Sequence, residues 1–153
     1  MPAVTALPPL VKSVLVAASQ ERAFELFTAG MGRWWPLLTH SVGGETATSV
    51  ALDCRVGGQI VETDSDGSNH VWGTLTECSP PTRLTFTWHP GQPVPEATLV
   101  TVTFRPDDGQ TEVQLVHSGW DSRRDGARAR NGYDTGWDIV LAPLASWDVS
   151  AQS

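Results

Sequence analysis

The sequence predicts an α+β domain, an antiparallel sheet of mostly consecutive strands covered by one long C-terminal helix. Two observations carry that expectation. Between residues 46 and 120, apolar and polar residues alternate in six runs separated by short connections rich in Gly, Pro and Asp, the pattern of strands with one buried face. Past residue 130 the period changes. Tyr133, Trp137, Leu141 and Leu144 recur at i+4, i+4 and i+3, which is one face of a helix.

Taken in order, residues 1–9 carry three prolines and are expected to be a flexible lead-in to a single domain spanning 10–150. "LVKSVLVA" (10–17) reads as a strand. Ser19 can cap a helix whose first turn holds Gln20 and Glu21, and Ala23, Phe24 and Phe27 supply its apolar face. Gly30 and Gly32 end it, and "RWWP" (33–36) forms a short turn or helix before a loop through His40 and Gly43–Gly44. The six strands follow as "TATSVALD" (46–53), "GGQIVET" (57–63), "NHVWGTLTEC" (69–78), "TRLTFTWH" (82–89), "TLVTVTFR" (98–105) and "TEVQLVHSGW" (111–120). In the terminal helix, Gly132 and Gly136 weaken the first half. Pro143 removes a backbone donor, at a cost of about 3 kcal/mol if it falls mid-helix, and should kink or break it.

Composition narrows the function classes. Apolar residues make up 40% of 153, enough for one domain with a core. The net charge of −7 argues against nucleic acid or an anionic membrane as partner, since both reward a basic surface. The one basic run, "RRDGARAR" (123–130), reads as the solvated start of the last helix. No apolar run reaches signal or membrane-spanning length, so a soluble cytoplasmic protein is expected, with Cys54 and Cys78 as free thiols. Neither a CxxC, HExxH, P-loop nor nucleophile-elbow motif is present, and no three His, Asp, Glu or Cys share a short ligand spacing. The expectation is no cofactor and no metal.

The ordered set "ERAFELFTAGMGRWWP", "GGQIVE", "WGTLTECSPPTRLTFTWHPG", "TVTFRP", "VHSGW" and "GYDTGWDIVLAPL" resembles the SRPBCC or START-like superfamily, over about residues 10–148. Within it, the chain is similar to the bacterial branch related to the activator of Hsp90 ATPase homologues. The resemblance implies a helix-grip fold (START/Bet v 1-like), in which a curved antiparallel sheet wraps the C-terminal helix and leaves a cavity between them. Members include lipid and polyketide binders, cyclases and co-chaperones, so the fold alone does not fix the function.

If the sheet encloses a cavity, its inward residues become candidates. Alternation places His117 inward beside Val113 and Leu115, either as a ligand-orienting imidazole or as a core histidine bonded within the protein. Glu62 shares the face of Ile60 and needs a partner or a wet cavity, unless the strand frays there and leaves it solvated. Trp88 and Phe86 lie on one inward face, and Tyr133, Trp137 and Leu141 on the helix face opposite. Trp72 has the wrong parity relative to Val71 and Leu75, so the strand bulges near Gly73 or Trp72 faces out. The resemblance places Trp34, Trp35 and His40 near the cavity mouth. His70 and His89 read as surface residues. The leading expectation is a binder of a small lipophilic molecule. The alternatives are a co-chaperone-like module with a chaperone partner, and a cyclase or hydrolase using a Glu62–His117 acid–base pair. A homodimer through an edge strand is compatible with this layout but not required by it.

Overall fold

The computed structural model describes residues 7–37 and 39–147. Strand β1 (Leu10–Val16) precedes helices α1 (Gln20–Phe27) and α2 (Met31–Trp34). Six strands follow: β2 (Ala47–Leu52), β3 (Gln59–Asp64), β4 (Asn69–Ser79), β5 (Arg83–Trp88), β6 (Thr98–Asp107) and β7 (Gln110–Ser118). Helix α3 (Gly126–Ala145) ends the described chain. The sheet has seven strands in the order β1-β7-β6-β5-β4-β3-β2, every pair antiparallel. β1 reaches the far edge by pairing with β7, while the other strands meander. This is the expected α+β architecture, a curled sheet gripping the long terminal helix.

Local chemistry sets the elements as expected. The Ser19 hydroxyl caps α1 by accepting from the Arg22 amide at 3.3 Å. The inward faces of β5, β6 and β7 bury Leu84, Phe86, Val100, Val102, Val113 and Leu115, and α3 covers them with Trp137, Val140, Leu141 and Leu144. Lys12 on β1 fastens the outer side of α3, bonding Asp134 at 2.6 Å and Asp138 at 3.1 Å. Pro143 falls in the last turn of α3, so little helix remains for it to break. Among the described residues no helix is long and apolar enough to cross a membrane.

Four sequence expectations need correction or resolution. Cys54 and Cys78 are not free thiols: they form a disulfide with Cα atoms 6.0 Å apart. The turn after β2 folds over onto β4, where the Gly57 amide donates to the Leu75 carbonyl and the Leu75 amide to that of Gly58, and this carries Cys54 to Cys78. His89 is buried, not a surface residue, and its Nδ1 lies 3.2 Å from the Gln92 carbonyl oxygen. Trp72 is inward and 1% exposed, because β4 bulges there: Ile60 pairs with Gly73 and Val61 with Val71, leaving Trp72 as the extra residue. Gly73 is needed at that bulge, since a Cβ would overlap the Thr87 carbonyl oxygen of β5. The basic run is only partly solvated. Arg130 donates to the carbonyls of Pro8 and Pro9, and the Arg123 side chain is largely covered beside Asp125.

Candidate functional site

A cavity of about 360 Å³ opens between the sheet, α3 and the loop that follows α2. Its floor is built from four indoles, those of Trp35, Trp72, Trp88 and Trp137. Their ring centroids form a closed set: 4.9 Å from Trp35 to Trp72, 5.6 Å from Trp72 to Trp88, 5.5 Å from Trp88 to Trp137 and 6.0 Å from Trp137 back to Trp35. Tyr133, Gly136 and Val140 of α3 complete one wall. His40, Ser41 and Val42 form the rim on one side and Pro90–Gly91 on the other. Despite lining a cavity, the four indoles are only 1–8% exposed. The indoles pack on one another, so each presents only a small part of its surface to the cavity.

Hydrogen bonds fix each indole. Trp35 Nε1 donates to the His40 carbonyl at 2.6 Å, and Trp88 Nε1 to the Tyr133 hydroxyl oxygen at 3.1 Å. Trp72 Nε1 donates to Glu62 Oε1 at 2.9 Å, and Trp137 Nε1 to His117 Nδ1 at 2.9 Å. Because Tyr133 accepts from Trp88, its own hydrogen is available to a molecule in the cavity; no acceptor for it lies within bonding distance among the described residues. Burial raises the Tyr133 pKa, opposed by the Trp88 bond and the nearby Arg123 charge, so the phenol keeps its proton and acts as a donor.

The predicted site residues divide into two groups. Trp35, His40, Trp72, Trp88, Tyr133 and Trp137 line the cavity together. His117, Glu62, Phe86 and Leu141 are buried behind its wall. His117 has both ring nitrogens occupied. An indole N–H can only donate, so Nδ1 is the acceptor from Trp137 and Nε2 carries the hydrogen, donated to Thr98 Oγ1 at 2.6 Å. Thr98 in turn donates to the Trp88 carbonyl at 3.2 Å. Burial first, and the Arg123 charge second, push the His117 pKa down to about 3, so this imidazole is neutral. Trp34 belongs to the core, donating to the Leu26 carbonyl at 3.0 Å and packing on Phe27.

Glu62 is 0% exposed and is satisfied by three N–H donors. Oε1 accepts from the Val42 amide at 2.8 Å as well as from Trp72, and Oε2 accepts from the Gly43 amide at 2.7 Å. No hydrogen bond joins Glu62 to His117, and they share no partner. Folding does bring Glu62, Asp64 and His70 together, with ligand-type atoms within 4.8 Å, although their spacing suggests no such group. His70 Nε2 bonds Asp64 Oδ2 at 2.6 Å, which raises the His70 pKa, while Asp64 Oδ1 is buried beside the place a Cβ on Gly43 would occupy. Both Glu62 oxygens and Asp64 Oδ2 thus have protein partners, whereas Asp64 Oδ1 has none among the described residues. The rim residues Ser41, Val42, Pro90 and Gly91 carry no sequence signal of their own.

The chain belongs to the Activator of Hsp90 ATPase homolog 1-like protein family, whose model matches residues 17–147. Among solved structures it is similar to Txn09, an anthrahydroquino-γ-pyrone synthase solved as a complex, at 33% identity over 95% of this chain and 98% of that one, with a TM-score of 0.63. It also shares its fold with protein BH1534 from Bacillus halodurans (20% identity, 93% and 97% covered, TM-score 0.66) and MLL2253 from Mesorhizobium loti (20%, 90% and 93%, 0.63). No curated protein matches the chain by sequence.

Proposed function

We propose that the cavity binds a planar, hydroxylated aromatic molecule of the polyketide class, with the indole floor packing its ring faces and the Tyr133 hydroxyl donating to a ring carbonyl. The observation that carries this reading is the closed set of four indoles beside a phenol whose hydrogen is free to be donated. Aromatic pairs prefer offset or edge-to-face contacts and contribute about 0.5–1.5 kcal/mol each beyond area burial, a preference that favours flat ring systems over aliphatic chains. A volume of about 360 Å³ is at the small end for ligand pockets but large enough for a fused-ring core. The similarity to a γ-pyrone synthase at 33% identity supports the same chemical class. His40 on the rim is a second polar contact for the ligand's outer edge.

Fluorescence titration with 1,8-dihydroxyanthraquinone tests this. Saturable quenching of the tryptophans is expected, with Tyr133→Phe weakening affinity about 5–20-fold for loss of one buried hydrogen bond. An absence of saturable quenching up to the solubility limit would remove the aromatic-ligand reading. Equal affinity in Tyr133→Phe would remove the role given to the phenol.

A further inference from the structure

Glu62 lies outside the cavity lining yet touches both the rim and the floor. Its carboxylate is fully buried, and among the described residues its three bonding partners are all neutral N–H groups. Two of these are consecutive backbone amides, that of the rim residue Val42 and that of Gly43 beside it, and the third is the indole of Trp72. A buried carboxyl group held by these donors depends on them, because each lost bond leaves a polar oxygen unpaired in the interior, and its neighbours Asp64 and His70, within 4.8 Å, give it no hydrogen bond. The rest of the rim is tied locally. Ser41 Oγ donates to the Leu37 carbonyl at 2.6 Å and accepts from the Gly44 amide at 2.8 Å, while Trp35 Nε1 holds the His40 carbonyl. Those bonds shape the loop. Glu62 is the group on β3 that fastens Val42 and Gly43 down onto the sheet.

We infer that Glu62 is the latch of the cavity entrance: by holding the Val42 and Gly43 amides, it keeps the rim seated at the edge of the indole floor and sets the rate at which ligand enters and leaves. Val42 lines the cavity together with the four indoles, and Gly43 follows it directly in the chain, so release of these two amides moves the cavity's edge. The same carboxylate orients Trp72, so opening the rim and loosening the floor are coupled events. Glu62 is thus a positioning residue that acts through Val42, Gly43 and Trp72. The ligand-exchange part of the inference rests on the aromatic-ligand reading; the latch itself does not.

Amide hydrogen exchange of the ligand-free protein separates the two. In wild type the Val42 and Gly43 amides are expected to be protected, and in Glu62→Gln to exchange about tenfold faster or more, with strand amides in β5 and β6 unchanged. An amide side chain keeps the volume but turns an NH₂ toward N–H donors. Ser41→Ala serves as a second variant if Glu62→Gln folds poorly; it loosens the loop's own turn but leaves the carboxylate bonds, so Val42 and Gly43 should stay protected. Unchanged exchange at these amides in a folded Glu62→Gln, or equal loss of protection in Ser41→Ala, overturns the latch. Stopped-flow quenching with 1,8-dihydroxyanthraquinone then reads the exchange rates. Faster association and dissociation by about tenfold, with a smaller change in Kd, support gating, and unchanged rates alongside faster amide exchange overturn the gating role. A failure of the dye to bind wild type refutes the aromatic-ligand reading and, with it, the ligand-exchange part, whereas the amide result still decides the latch.

Discussion

At position 117 a strand that otherwise buries Val113 and Leu115 buries an imidazole instead, at 0% exposure. The alternation of "TEVQLVHS" makes its direction legible, but not its purpose, because the partners that define it come from β6 and α3. Both nitrogens are occupied and the acceptor at Nδ1 is fixed by the Trp137 indole, so protonation would set two N–H groups against each other. The folded pKa, about 3, lies below the ordinary histidine value of about 6.5. Below pH 6.5 the unfolded chain therefore binds a proton that the folded chain refuses, and stability falls as pH drops from about 6.5 toward 3. The loss is on the order of a few kcal/mol at the acid end of that window. Urea unfolding at pH 7 and pH 4.5 should show this fall in wild type and a shallower one in His117→Gln, in which Thr98 can keep a partner. An equal fall in both would mean that other groups carry the acid sensitivity.

At the scale of elements, strands and helices were largely legible, since period-2 and period-3.6 patterns depend only on local burial. What failed depended on pairing between strands. Trp72 could be placed only with the register of β3 against β4, where the bulge at Gly73 restores it to the inward face. The disulfide was missed for a related reason: Cys54 lies outside a regular strand, and the fold of the β2–β3 turn over β4 brings it to Cys78. That bond ties the segment just past edge strand β2 to β4, across a sequence separation of 24. Constraining a loop of that size restricts the unfolded chain by about 3–4 kcal/mol on the chain-entropy account. The Cys54→Ser, Cys78→Ser double variant, or the reduced wild type, should therefore unfold at clearly lower urea by an amount near 3 kcal/mol. Coincident urea curves for oxidised and reduced protein would show that the bond adds nothing to the fold.

At the scale of the whole molecule, the helix-grip arrangement divides labour between α3, which supplies Tyr133 and Trp137, and the sheet, which supplies Trp72 and Trp88. Six of the ten predicted site residues line the cavity: Trp72, Trp88, Tyr133 and Trp137 because inward-facing aromatics on opposed layers meet across it, and Trp35 and His40 because the loop after α2 lies at its mouth. The rim was not legible, because the loop 41–44 is placed by backbone amides, which leave no trace in side-chain pattern. Since the cavity exists only when sheet, helix and rim are assembled, a ligand that occupies it must stabilise the entire domain, not one part. At a free concentration of 100 times Kd, mass action gives about 2.7 kcal/mol. For a chain of 153 residues that corresponds to a rise in Tm of about 5–10 °C. A hydroxylated anthraquinone should produce that rise in wild type, and a smaller one in Tyr133→Phe at the same concentration. A saturated fatty acid of similar volume should produce little, because the floor presents flat indole faces and edges to whatever enters. If the fatty acid shifts Tm and the anthraquinone does not, the cavity is a chain-lipid site and the indoles serve only as packing.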